Sequence, residues 1–350
     1  MAMTSAAPTT AAPTVSVERV IARRLSGVAG LVAILAGAAL VSLAVGSRSI
    51  ALGTTWDALW SFDPTNDEHL VIRNLRVPRT VLGMVVGSSL GTAGAVMQAL
   101  TRNPLAEPGV LAVNSGAAAA VAVAIGAGIT SVSGYVWFAC LGAAGGGALV
   151  FVLGGAHRRG ADPVRLLLAG AALSIVLGSF TQLLLLNYPE TYVRFRFWAV
   201  GSLQGRSWEV IGLVAPLTAL GVVCALAMSR SLNAIALGAD SGRALGVSMR
   251  RVWSGAALTV ILLTGAATAG AGPIAFVGLT APHAARAITG PDNRWVLPYS
   301  KLISAVVILV ADIAGRLVAR PGEVATGIVT ALIGGPLFVV LVRRRRLVAL

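Results

Sequence analysis

The chain has 350 residues, of which 56% are hydrophobic and only 11% are charged. A soluble domain carries about twice that charged fraction, so the composition excludes an ordinary soluble protein and indicates a surface that mostly faces lipid. The net charge is +14, but the basic residues lie between apolar runs, which is typical of membrane topology rather than of a nucleic-acid-binding groove.

The N-terminal segment differs from the rest of the chain. Residues 1–24 are polar and rich in Ala, Thr and Pro, and we expect them to form a disordered cytoplasmic tail. The remainder, 25–346, is expected to form one transmembrane domain. Its first apolar run is longer than the core of a signal peptide, so it is interpreted as a retained helix rather than a cleaved leader.

Ten uncharged or nearly uncharged runs follow the tail. A helix needs roughly 20 such residues to cross a bilayer, and glycine-containing breaks at 126–134 and 269–273 divide two longer apolar stretches. We therefore predict an all-α, polytopic integral membrane protein with about ten transmembrane helices. The predicted spans are 26–46, 80–101, 109–128, 134–155, 166–188, 210–229, 252–271, 274–289, 297–318 and 324–342.

The basic residues are unequally divided between the segments that connect these spans. With the N-terminus on the cytoplasmic side, 18 of the 27 basic residues lie on that side and nine lie on the other. The positive-inside rule therefore predicts that both termini are cytoplasmic.

A short motif occurs twice in the chain. The segments "PLAEPGVLA" (104–112) and "PIAFVGLTA" (273–281) are 169 residues apart. The first joins predicted spans two and three on the cytoplasmic side, and the second joins spans seven and eight on the outer side. Because an odd number of helices per half inverts the second half, the sequence predicts a five-plus-five inverted repeat.

The sequence lacks machinery for driving transport or for covalent chemistry. Its only lysine, Lys301, follows no glycine-rich loop, so a phosphate-binding loop is excluded. Asp312 is the one carboxylate inside a predicted span and can pair with Arg316 four residues on, which disfavours ion coupling. The dispersed histidines and cysteines suit no metal site. We therefore predict a non-enzymatic subunit of a larger machine that binds no cofactor itself.

Several stretches together resemble the FecCD-type permeases, the membrane subunits of ABC importers for iron-siderophores, haem and cobalamin. The resemblance implies ten helices, a second permease subunit (identical or paralogous), two cytoplasmic ATPases that bind ATP and Mg²⁺, and an extracytoplasmic binding protein at a bacterial cytoplasmic membrane. The matching stretches are "LRVPRTVLGMVVGSSLGTAGAVMQALTRNPLAEPGVLAVNSGA" (75–117), "RFWAVGSLQGRSW" (196–208), "LNAIALGADSGRALGV" (232–247), "GPIAFVGLTAPHAAR" (272–286), "ADIAGR" (311–316) and "GIVTALIGGPLFVVLV" (327–342).

The cargo follows from the branch of the family that the chain resembles. It is nearest to the ferric-siderophore permeases, so we expect inward transport of an iron-siderophore complex, with haem or cobalamin as alternatives. The translocation path is expected along spans five and ten. These spans consist largely of Gly, Ala, Leu and Thr, which do not identify the cargo. An ion-coupled secondary carrier is an alternative of another class, disfavoured by the missing mid-membrane charges. A membrane scaffold or enzyme subunit is a further alternative, disfavoured by the repeat.

The longest cytoplasmic loop, 230–251, is a candidate docking element. Its spacing is compatible with two short helices joined by a turn at Gly238, and also with an amphipathic linker on the membrane surface. The resemblance makes it the loop that docks into a groove on the ATPase. The residues expected to form this coupling loop are Leu232, Asn233, Leu237, Gly238, Ala239, Asp240, Leu245, Gly246 and Val247.

Three outer arginines are candidate docking residues at the other side. Arg76 and Arg79 flank Pro78 just before span two, and Arg316 lies at the outer end of span nine. The resemblance implies that such arginines bind glutamates on the two lobes of the binding protein. The alternative is that they anchor helix ends at the lipid headgroups.

Overall fold

A computed structural model of the chain describes residues 17–46, 50–155, 163–238 and 246–343, together with Gly242 and Ala244. The regular elements in these ranges are all helical, which confirms the predicted all-α class. The α-helices are α1 (Val17–Ala44), α2 (Leu52–Trp60), α3 (Asp67–Val71), α4 (Val77–Thr101), α5 (Val113–Gly126), α6 (Val132–Leu153), α7 (Pro163–Asn187), α8 (Pro189–Ala199), α9 (Trp208–Ala227), α10 (Ser229–Ala236), α11 (Met249–Ala271), α12 (Val277–Thr289), α13 (Asn293–Val318) and α14 (Thr326–Arg343).

The predicted helix breaks coincide with the observed ones. Helix α5 ends at Gly126 and α6 begins at Val132, while α11 ends at Ala271 and α12 begins at Val277. Two further irregular turns were not predicted as such: a π-helical turn, Ile72–Arg76, joins α3 to α4, and a 3₁₀ turn, Pro108–Leu111, precedes α5. Prolines and glycines at these positions remove backbone donors or allow unusual backbone conformations, which is why the breaks are readable from sequence.

Each of the ten predicted spans overlaps one of these helices, but they differ in length and polarity. Six of the described helical segments are both long and apolar enough to cross a membrane: 18–44, 67–101, 132–153, 164–187, 208–227 and 249–271. Two more, Val113–Gly126 and Thr326–Val340, are apolar but shorter. The short helices α2, α3 and α8 lie in segments where the sequence predicted no span.

Helix α1 begins earlier than the predicted domain boundary. It starts at Val17, so the segment 17–24, expected to belong to a disordered tail, is helical; residues 1–16 lie outside the described part of the chain. No Gly or Pro interrupts the chain between Pro13 and Gly27. Glu18 in the first turn also interacts favourably with the positive end of the helix dipole. The polar character of this segment therefore reflects a helix end in water rather than loss of helix.

Helices α4 and α11 form the centre of the bundle. In the apolar window of each, 78% of the residues are buried, compared with 11% in α1 and 17% in α7. The peripheral helices expose large apolar side chains, among them Ile34 on α1 and Leu183 and Leu186 on α7. In a membrane, such faces contact lipid or another subunit.

Glycines on one face of α4 allow its close approach to α12 and α13. A Cβ atom at Gly87 would come within 2.5 Å of the Cα atom of Ala305, and one at Gly94 would overlap the carbonyl oxygen of Gly278. The Ser304 hydroxyl donates to the carbonyl of Gly87 at 2.6 Å, which fixes the register of α13 on α4. Small residues with interhelical hydrogen bonds are the usual basis of helix association in membranes.

The two copies of the repeated motif are in contact with each other. The Phe276 amide donates to the Glu107 carboxylate at 3.1 Å, and these residues occupy equivalent positions, 169 residues apart. The sequence analysis assigned the two copies to opposite sides of the membrane, so this direct contact was not predicted. Residues 272–276, between α11 and α12, have no regular helical structure, and Gly278 packs beside Leu90 in the middle of α4.

Candidate functional site

A cluster of largely buried charges lies where the N-terminal end of α4 meets the C-terminal end of α13. We call Arg76, Arg79, Asp312, Arg316 and Glu323 the arginine cluster. Asp312 is fully buried and accepts hydrogen bonds from Arg79 Nη2 at 2.8 Å and from Arg316 Nε at 3.0 Å. Arg79 Nη1 also donates to Glu323 at 2.6 Å. The Asp312–Arg316 pair along one helix face, predicted from their spacing, is thus observed.

The arginine cluster also caps the C-terminal end of α1. Arg316 Nη1 donates to the carbonyl oxygens of Ser42 and Val45, both at 2.8 Å. Arg76 Nη1 donates to the carbonyls of Leu43 and Ala44, at 2.7 and 2.6 Å. These carbonyls have no partner within the helix, and cationic side chains satisfy them favourably. Distant segments of the chain therefore hold the C-terminal end of α1.

A cavity of about 460 Å³ opens beside the arginine cluster. Four arginines contribute to its wall, but only one carboxylate does, so its lining has an excess of positive charge. The polar residues that line it are Arg76, Arg79, Arg206, Arg316, Gln204 and Glu323. Such a cleft attracts acidic groups from solution.

The three predicted docking arginines are therefore brought together, but in a buried setting. Arg76 is 6% exposed and Arg316 is 1% exposed, and Arg79 is partly shielded by its two carboxylate partners. Sequence reasoning did not identify Glu323, Arg206 or Thr326 as members of this region. Thr326, whose hydroxyl donates to Asp312 at 2.8 Å, carries no local sequence signal for that contact.

At the opposite end of α13, the coupling loop begins with the short helix α10. Leu232 is fully buried and Ile235 is 2% exposed, whereas Leu237, just past the helix end, is 68% exposed. The N-terminal part of the loop therefore packs on its own bundle, and Leu237, just after it, faces outward. A helix with one apolar face accounts for this division.

The turn after α10 has the conformation that glycine favours. Gly238 has φ +107° and Gly246 has φ +78°, a region that other residues rarely adopt. Val247, expected in the same loop, is partly buried against the core. Ala239, Asp240 and Leu245 lie outside the described residues.

Asn233 fastens α10 to the beginning of α13. Its Nδ2 atom donates to Asp292 Oδ1 at 2.6 Å, and its Oδ1 atom accepts from the Asn293 backbone amide at 2.8 Å. The Asn293 side chain donates to the same oxygen at 2.9 Å. Asp292 is the N-cap of α13 and also accepts from the Arg294 amide, so Asn233 binds a helix start that is already ordered.

Metal-binding chemistry has no support in the described part of the chain, where no group of three or more His, Cys, Asp or Glu residues converges. Both cysteines are free and partly buried. Burial inside an apolar helix makes a thiol a packing residue rather than a ligand.

Comparison with known proteins identifies close relatives over nearly the whole chain. A family model described as the FecCD transport family matches residues 33–344. A Bacillus subtilis (strain 168) protein named as a siderophore transport system permease, YfiZ, is 41% identical over 83% of this chain and 89% of its own length. The ferric enterobactin transport system permease protein FepD of Escherichia coli (strain K12) is 39% identical over 92% of this chain and 96% of its own length.

A solved structure has the same fold. It is described as an inward-facing metal-chelate type ABC transporter, and it superimposes with a TM-score of 0.80 at 31% sequence identity. The match covers 91% of this chain and 99% of that one. The whole helical bundle, rather than a fragment of it, is therefore shared.

Proposed function

The chain belongs to the FecCD transport family, and on that premise we propose that it is the membrane subunit of an ABC importer that carries a ferric chelate into the cell. The observation that carries this proposal is the family match over residues 33–344, which spans the whole bundle. Relatives of similar length are named for siderophore, ferric citrate and ferric enterobactin transport. An iron-siderophore complex is the cargo that these names favour over haem or cobalamin.

The proposal includes ten membrane crossings in two inverted halves, with both termini in the cytoplasm. Each predicted span falls on a helix, and the excess of basic residues on one side supports this orientation. The transmembrane domain then comprises residues 25–346, with α1 extending from it into the N-terminal segment. Contact between the two repeat copies through Glu107 and Phe276 gives the halves a shared centre.

The energy for transport comes, in this proposal, from two partner ATPase subunits that bind ATP and Mg²⁺. The chain has no phosphate-binding loop, so it must receive the energy mechanically. The coupling loop from Leu237, which is exposed, to Val247 is the proposed docking element for the ATPase. A second permease subunit covers exposed apolar faces of the bundle and completes the translocation path.

The arginine cluster is proposed to receive the extracytoplasmic binding protein. The excess of arginine over carboxylate in the adjoining cavity supports an acidic partner. Because Arg79 and Arg316 already share Asp312, a glutamate of the partner competes with an internal ion pair. Docking of the binding protein then weakens the contacts that hold the outer end of α13, in addition to binding there.

Reconstitution in proteoliposomes tests the proposal. The chain is combined with the ATPase, the second permease subunit and the binding protein encoded beside it, and uptake of radiolabelled ferric enterobactin, ferric citrate and ferric hydroxamates is measured with and without ATP. ATP-dependent accumulation of a ferric chelate is expected. Accumulation of haem or cobalamin alone would contradict the cargo, and uptake driven by an ion gradient without the ATPase would contradict the class.

A further inference from the structure

The buried half of the coupling loop and its exposed half have different neighbours. Leu232 and Ile235 are buried against the bundle, Asn233 is half-buried, and Leu237 is exposed. Both polar atoms of the Asn233 side chain are already hydrogen-bonded within the chain, to Asp292 and Asn293. Asn233 therefore requires a role other than binding the ATPase, although it lies in the segment proposed to dock there.

The contacts of Asn233 lead into a single long helix. All of its side-chain hydrogen bonds go to Asp292 and Asn293, at the start of α13. Helix α1 also contacts this region, because Tyr299 in α13 donates to the Arg24 carbonyl at 2.7 Å and Arg24 donates to the carbonyl of Thr289, the last residue of α12, at 2.7 Å. The first turns of α13 thus contact both α10 and α1.

Helix α13 continues from this junction to the arginine cluster. Its 26 residues correspond to about 39 Å at 1.5 Å per residue. Its internal proline, Pro298, lies in the second turn, so the segment from Tyr299 to Val318 is uninterrupted. Along that segment α13 packs closely on α4, and near its far end Asp312 and Arg316 hold α4, α14 and α1.

We infer that Asn233 is a positioning residue that fastens the coupling helix α10 to α13, so that movement of α10 is passed along α13 to the arginine cluster. The inference rests on the proposed function, because it assumes that an ATPase moves α10. An asparagine is required since its amide donates to the Asp292 carboxylate and accepts from the Asn293 amide at the same time. An aspartate at this position repels Asp292, and an apolar residue leaves the Asn293 amide and the Asp292 carboxylate without this partner.

A charge exchange between positions 233 and 292 tests the inference in the complete transporter. Asn233→Asp places two carboxylates together and is expected to lower the uptake of ferric chelate per ATP hydrolysed by about tenfold, the equivalent of one lost charge-assisted hydrogen bond. Asp292→Asn alone keeps an N-cap residue and is expected to have little effect. The double variant restores the donor–acceptor pair and is expected to recover most of the ratio, because coupling between contacting residues appears as non-additivity.

Controls separate this role from a general loss of structure. Asn187→Asp makes the same chemical change at an exposed site whose side chain bonds only its own helix, and should leave the ratio unchanged. If Asn233→Asp prevents assembly with the ATPase, Asn233→Ser, which lacks the amide donor but adds no charge, is measured instead and should also lower the ratio. An unchanged ratio in whichever of these variants assembles, or a double variant no better than Asn233→Asp, overturns the inference. Failure of the wild-type complex to import any ferric chelate with ATP would contradict the proposed function instead.

Discussion

Replacing Asp312 by asparagine tests the importance of the arginine cluster for the fold. The carboxylate is fully buried and accepts from Arg79, Arg316 and Thr326. The variant keeps the volume but leaves Arg316, which is 1% exposed, without this carboxylate partner. Removing one partner of a buried ion pair typically costs about 3–5 kcal/mol. We expect a loss of about 3 kcal/mol, the lower end of that range, because Arg79 retains Glu323 and the amide oxygen still accepts one hydrogen bond.

Glu323→Gln is the matched control for this measurement. The Glu323 side chain is 14% exposed and pairs with Arg79 alone among the ion pairs of the described residues. Its loss should cost less than the loss of Asp312, because Arg79 retains Asp312 and glutamine keeps an acceptor oxygen for Arg79. Both variants are compared with the wild type by unfolding with SDS in mixed detergent micelles, followed by tryptophan fluorescence. If Asp312→Asn lowers the free energy of unfolding no more than Glu323→Gln does, the buried carboxylate does not hold the adjoining ends of α1, α4 and α13 together.

Three further outcomes are expected. The chain purified alone should hydrolyse no ATP; hydrolysis that persists after complete removal of the ATPase would contradict the proposed class. Valine at Gly238 and at Gly246 should each lower uptake while ATP hydrolysis continues, because a β-branched residue with positive φ is strained by about 1–2 kcal/mol. The control Gly30→Ala, in open space on a regular helix, should have no such effect. Wild-type uptake in both valine variants would show that the turn is only a linker. Reversal of Arg76 and Arg79 to glutamate should weaken binding of the external protein and reduce its salt dependence. Because both arginines are also bonded within the chain, the comparison uses a variant that still assembles with the ATPase, and unchanged affinity and salt dependence in it would leave these arginines as internal anchors only.

The helix content and the break points were predictable because they depend on local properties. Runs of apolar residues fix where helices form in a membrane, and the glycines and proline at 126–134 and 269–273 fix where they end. The Asp312–Arg316 pair was predictable for the same reason, since residues four apart share a helix face. The start of α1 was misjudged because a charged helix end in water resembles a polar tail in composition.

The rest of the candidate site depends on contacts between distant segments. Arg79 and Asp312 are 233 residues apart, and Asn233 and Asp292 are 59 apart, so no local pattern relates them. The sequence identified the three arginines and the coupling loop by resemblance to a family. It did not indicate the hydrogen-bond partners of Asn233, because the local pattern of a mixed polar and apolar loop does not show where a single side chain points. The contact between the repeat copies was not predicted, because a topology prediction assigns each connecting segment to one side of the membrane and does not say how deeply it reaches into the bundle.

The way in which α1 ends has a consequence for the order of biosynthesis. The carbonyl of Ser42, in its last turn, accepts from Arg316, and that of Gly46, just past its end, accepts from Arg320; each arginine lies 274 residues further along the chain. A chain made from its N-terminus acquires structure in that direction, so the ribosome completes and releases α1 into the membrane long before either arginine exists. The C-terminal end of the first helix therefore reaches its final hydrogen bonding only after these 274 further residues have been made. A nascent chain arrested before Arg316 should retain α1 in a state that is inserted but still accessible to water at that end.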